Sequence, residues 1–151
     1  MITPDMRQII EENTIGLVAT VTAEGFPRVS PKGTMRVLDD GRLGFAEIRS
    51  PGTLRNLRSN PAVEVTFIDV FRRRACRLQG AATYHPRGTA EFTELAPRFQ
   101  AWDTLADRMR GFVVVAVTRA EMVRSPIYDV GAKEEQLRRQ WLEHYTRLHG
   151  A

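Results

Sequence analysis

"SPGTLRNLRSNPAVEVTF", Ser50 to Phe67, contains a helix start, a helix stop and the strand that follows. Ser50 is a residue type favoured as an N-cap, and Pro51 suits the first helical position, where its missing N–H costs nothing. Leu54 and Leu57 share one face of the turn that follows. Asn60-Pro61 stops the helix, because the residue before a proline is pushed out of the helical region. From Ala62 the period changes to two, with Val63, Val65 and Phe67 alternating against Glu64 and Thr66. That pattern is a half-buried strand.

The same stretch carries chemistry. The amides of a helix's first turn have no intrahelical partner and bear a partial positive charge. Gly52 leaves them open, Ser50 and Thr53 add hydroxyls, and Arg49 and Arg55 add full charge. Together they form a phosphate cradle. The competing expectation is a capped connecting helix with solvated arginines.

Outward from this stretch, strand signals follow one another through short turns. Thr3-Pro4-Asp5 starts an N-terminal helix with Met6, Ile9 and Ile10 on one face and Asn13 as its stop. Ile15–Val21 is an apolar strand, and Ala23–Pro27 a turn. Arg28–Leu38 reads as one extended segment broken by Pro31 and Gly33, which confine it to an edge or a bulge. Asp39–Arg42 is a second turn, and Leu43–Ile48 a strand. Ala62–Val70 and Ala75–His85 form a hairpin around Arg72–Arg74, with Gly80 as a bulge. Thr89 caps a helical stretch to about Arg110, interrupted at Pro97. Phe112–Val123 is the last strand, Ser125–Gly131 a loop, and Lys133–Leu148 an amphipathic helix with Leu137, Trp141, Tyr145 and Leu148 on one stripe. Six strands in this order make the chain mainly β, an antiparallel barrel or sandwich in a single domain, 1–151.

The second polar stretch is "PRVSPKG", Pro27 to Gly33. Either Ser30 and Lys32, with Arg28 nearby, flank a bound anionic cofactor, or Pro31 and Gly33 merely protect an edge and Lys32 is solvated. "FRRRACR", Phe71 to Arg77, is the densest basic cluster. It is a solvated hairpin, or it lends Arg74 or Arg77 to an anion across a dimer. Phe71 and Tyr84 are too few aromatics for a nucleic-acid face.

Composition excludes several classes. Among 151 residues Cys76 is the only cysteine, so no intrachain disulfide or cysteine-rich zinc site can form. His85, His144 and His149 lack metal-ligand spacing, and no metal site is expected. The longest apolar run, Phe112–Val117, is far short of the ~20 residues a membrane span needs. No signal peptide is evident, and the expected compartment is the cytoplasm. The net charge of +4 comes from arginine, since only Lys32 and Lys133 are lysines.

The order of "IGLVATV", "EGFPRVSPKG", "DDGRLGFAE", "SPGTLRNLRSNPAVEVTF" and "RLQGAA" resembles the pyridoxamine 5′-phosphate oxidase-related FMN-binding split barrels, over Pro4 to about Val123. The resemblance implies a six-stranded antiparallel split β-barrel of Greek-key type with N-terminal, connecting and C-terminal helices. It implies a homodimer with FMN at the subunit interface and oxidoreductase chemistry on a small-molecule substrate. By position, Arg28, Ser30 and Lys32 match the polar strand. Phe45, Ala46 and Glu47 match the strand that passes the flavin ring, and Ser50, Thr53, Arg55 and Asn56 the phosphate helix. Many relatives have lysine where Thr53 stands, so Arg49 or Arg55 has to supply that charge. The C-terminal helix departs from the arginine-containing segment of the true oxidases, so their substrate is not implied. No catalytic residue is identified. A deazaflavin, a haem or a flavin bound without turnover are the alternatives, with a nucleic-acid-binding barrel behind them.

Overall fold

The computed structural model describes residues 1–150. The N-terminal helix α1 spans Pro4–Glu12, with the Thr3 hydroxyl accepting from the Met6 amide at 3.3 Å. The strands are β1 (Gly16–Val21), β2 (Pro27–Lys32), β3 (Met35–Asp39), β4 (Arg42–Glu47), β5 (Ala62–Asp69), β6 (Arg74–Pro86) and β7 (Gly111–Arg124). Helix α2 (Pro51–Ser59) joins β4 to β5, α3 (Ala90–Leu95) follows β6, and α4 (Glu134–His149) closes the chain.

All strand pairs are antiparallel, in the order β2-β1-β5-β6-β7-β4-β3. The sheet has seven strands where six are expected, because Arg28–Leu38 is two strands. The chain breaks at Gly33-Thr34 and sends β2 and β3 to opposite edges. Pro31 has no N–H to give a ladder, and β2 lies at an edge as that requires. Consecutive strands at the two edges curl the sheet into a barrel that stays open between them.

Two cores form. Inside the barrel, Met6, Ile9 and Ile10 of α1 pack with Val18, Val65, Phe67, Leu78, Val113 and Val115. On the other side of β4 and β7, Phe112 stacks on Phe99 and Phe92, at centroid distances of 4.4 and 4.8 Å. The segment supplying Phe99 departs from expectation. The helix capped by Thr89 ends at Leu95 and tightens into a 3₁₀ segment, Ala96–Arg108, whose backbone leaves helical angles at Phe99 and Trp102. Pro97 removes the donor an α-helix would need there. Gly80 sits at the expected bulge, where a side chain would overlap the Ala116 carbonyl.

The Arg72–Arg74 hairpin is not solvated. Asp69 is buried and accepts from the Phe71 and Arg72 amides at 3.1 and 2.9 Å. Arg72 Nη1 lies 2.9 Å from both Asp69 and Glu12 of α1. Arg74 Nη1 lies 3.4 Å from Glu134 of α4. The Arg73 guanidinium stands 3.9 Å over Trp141, and Phe71 meets Tyr145 edge-on. The Tyr128 hydroxyl donates to the Arg72 carbonyl at 2.6 Å. One turn therefore gathers α1, the loop after β7 and α4. Of the stripe on α4, Leu137 is buried and Leu148 is exposed. Among the described residues no helix is long and apolar enough to cross a membrane.

Candidate functional site

A cleft of about 470 Å³ opens between β2, the β1–β2 turn and the start of α2. Side chains two apart on a strand share a face, so Arg28, Ser30 and Lys32 stand together on β2 and line it. From the other side come Arg49, Ser50, Gly52, Thr53, Arg55 and Asn56. Two stretches 18 residues apart in sequence thus meet at one ammonium. Lys32 Nζ donates to Ser30 Oγ at 2.8 Å and to Ser50 Oγ at 2.7 Å. Burial pulls the Lys32 ammonium below its ordinary pKa, and the Glu47 carboxylate pushes part of the way back.

Ser50 does not do what its position leads one to expect. Its hydroxyl makes no cap on α2; it is occupied by Lys32. Its own amide donates to Glu47 Oε1 at 2.5 Å. The first turn of α2 is left without a side-chain cap, and the space in front of Gly52 is empty to 4 Å. Arg28, Arg49 and Arg55 carry neither an ion pair nor a hydrogen bond among the described residues. Open amides, a fixed ammonium and three uncommitted guanidiniums converge on one cavity, which is the donor set of an anion site.

Thr53 and Asn56 are largely buried on the inner face of α2, and Asn56 Nδ2 donates to Thr20 Oγ1 at 2.9 Å. Phe45 and Ala46 do not line the cleft. Phe45 is 0% exposed in the barrel core, and Ala46 belongs to the smaller core beside Phe112. Their side chains follow the alternation of β4, which is paired on both sides and has both faces covered. Glu47 is 2% exposed and reaches the site through Ser50. Thr20, Thr22, Glu24 and Ser59 also line the cleft and were not singled out in sequence. Thr20 had a signal, a hydroxyl at an inward position of an otherwise apolar strand.

The family model for pyridoxamine 5′-phosphate oxidase matches residues 2–124. The chain belongs to that family. Both stretches that build the cleft fall inside the matched segment, and α4 falls outside it. Among solved structures, HupZ of Group A Streptococcus is 29% identical at a TM-score of 0.68, over 83% of this chain and 96% of its own. A pyridoxamine 5′-phosphate oxidase-like protein of Lactobacillus delbrueckii is 25% identical at a TM-score of 0.65, over 79% of this chain and 92% of its own. An F420 reductase, 24% identical at a TM-score of 0.60 over 79% of this chain and 98% of its own, shares the fold. No curated protein matches the sequence.

Proposed function

We propose that this member of the family binds FMN in the cleft and acts as an oxidoreductase on a small molecule. The observation that carries this is the uncapped mouth of α2. Its uncapped first turn lines one cleft with three arginines that have no side-chain partner and a lysine already fixed between two serines. The phosphate would be held by Arg49, Arg55, the Ser50 and Thr53 hydroxyls and the first-turn amides. Arg28, Ser30 and Lys32 would border the rest of the nucleotide. Bound there, the flavin would supply hydride and electron transfer. The chain's own residues would hold the cofactor, orient it along β2 and keep positive charge beside it. In this reading no residue of the cleft is assigned a dedicated acid or base role, and proximity to the flavin would carry the reaction.

The working unit in this proposal is a homodimer with the cofactor at the interface. The cleft has few apolar walls, Ala23 and Val29 among its lining residues, too few to cover a flavin ring. The chain exposes 9316 Å² of surface, against roughly 7,750 Å² for a compact monomer of its mass. Phe26 and Val29 near the cleft, and Ile68 and Val123 on the outer sheet face, are exposed apolar groups that a second copy would cover.

The test is the purified protein's absorption spectrum, with mass spectrometry of whatever is released on denaturation. FMN, or saturable binding of added FMN at micromolar concentration, is the expected result. A released deazaflavin or haem, or no saturation, would overturn the assignment.

A further inference from the structure

Glu47 ends β4 directly behind the mouth of α2, and it is among the most deeply buried side chains of the chain. A carboxylate removed from water is costly unless it is hydrogen-bonded or paired. Its hydrogen bond comes from the Ser50 amide, and its charge acts on Lys32. Ser50 ties the two together, since its amide serves Glu47 while its hydroxyl serves Lys32. A serine at this position ordinarily folds its hydroxyl onto the second or third amide of its own helix. Here the backbone at Ser50 is at φ −136° and ψ 56°, and that hydroxyl points at Lys32 instead. The amides it would otherwise consume remain open.

We infer that Glu47 is a positioning residue. It holds Ser50 in the arrangement that denies α2 its own cap and supplies the counter-charge for Lys32, so the anion site is assembled before an anion arrives. In its reference to FMN, the inference rests on the flavin proposal above. The charged groups that share the cleft with Lys32 are Arg28 from β2, Glu24 from the β1–β2 turn, Arg49 just before α2 and Arg55 on it, and Glu47 of β4 acts on Lys32 from behind. Three of these five repel an ammonium. Glu24 is exposed on a turn, whereas Glu47 is buried and acts through a poorly screened interior.

Two lysines make the test direct. Protein labelled with ¹³C-lysine gives one signal from Lys32 and one from the exposed Lys133. Glu47→Gln keeps a hydrogen-bond acceptor for the Ser50 amide and removes the charge. The Lys32 signal of this variant should titrate at lower pH than in the wild type, with Lys133 unmoved. Its FMN affinity should fall away on the alkaline side at lower pH than that of the wild type. Glu47→Ala, which lets Ser50 cap its own helix, should bind FMN at least about tenfold more weakly at every pH. The inference is overturned if Lys32 titrates alike in the wild type and Glu47→Gln. It is equally overturned if a folded Glu47→Ala binds FMN as tightly as the wild type. A wild type that binds no FMN would defeat the flavin proposal alone, and the lysine titration would still decide the role of Glu47.

Discussion

Arg49–Arg58 and Arg72–Arg77 are the two arginine-dense stretches, and the fold treats them in opposite ways. At the hairpin, Arg72 and Arg74 are turned inward onto Asp69, Glu12 and Glu134, and Arg73 lies on Trp141. Every guanidinium of that triplet has an internal partner. At the cleft, Arg28, Arg49 and Arg55 have none, and the nearest buried carboxylate, Glu47, is engaged by a backbone amide. The difference is one of available acids, not of arginine content. A buried aspartate at the end of a strand turns a basic run into a structural joint, whereas a helix start poor in acids leaves its charge free for a ligand. The nucleic-acid alternative loses its main support for the same reason, because the densest basic cluster is already engaged within the chain.

The contrast can be broken at the hairpin first. Asp69→Ala removes the buried carboxylate that Arg72 and Arg74 share, leaving them only Glu12 and Glu134, and should destabilise the fold by about 3 kcal/mol, read from denaturant midpoints, with FMN affinity per folded molecule unchanged. A loss below 1 kcal/mol would mean the joint is no more than a surface ion pair. The same site sets a pH dependence. Burial alone would raise the Asp69 carboxyl, but the Arg72 amide and guanidinium and the Phe71 amide outweigh it and hold it below the usual carboxylate range. A group depressed in the folded state contributes its stability above its unfolded value and loses it as pH falls through the folded one. The stability gap between wild type and Asp69→Asn should be full above about pH 4 and close below it. A gap that widens on acidification would contradict the account.

At the cleft the effects are smaller and appear in binding. Arg55→Ala should weaken FMN by about 1.5–3 kcal/mol, the worth of a charge-assisted hydrogen bond. Its unfolding midpoint should barely move, since the exposed Arg55 side chain makes no hydrogen bond or ion pair among the described residues. An unchanged affinity would remove Arg55 from the phosphate site. Smallest is Arg73→Ala, which loses a cation–π contact of about 0.5–1 kcal/mol. It should appear as faster amide exchange confined to α4, with FMN binding intact. Exchange that rises throughout the barrel would show that α4 is integral to the core.

Much of this was legible in the sequence because it rests on local rules. The start of α2, the edge position of the Pro31 strand, the Gly80 bulge and the inward face of α1 follow from caps, missing donors and periodicity. So did the convergence of Ser30, Lys32 and Ser50, through the ordering of segments that the family shares. What was not legible depends on which distant groups meet. Arg28–Leu38 looks like one broken strand because nothing local says that its halves lie at opposite edges. Ser50 looks like a cap because Glu47 and Lys32, which divert it, are recruited by the sheet. Phe45 and Ala46 were placed beside the ligand by position in the strand, yet their side chains serve the two cores. Arg72–Arg74 reads as solvated because Glu12 and Glu134, which neutralise it, lie 60 residues away in sequence on either side.

The central claim is that the arginines around Ser50 are free to take a phosphate and those at the hairpin are not. FMN titrated side by side into wild type, Arg55→Ala and Arg73→Ala, followed by flavin fluorescence, tests it most directly. Saturable binding to wild type and Arg73→Ala alike, with Arg55→Ala at least about tenfold weaker, is the predicted result. No saturation of the wild type, or an equal loss in both variants, would contradict it.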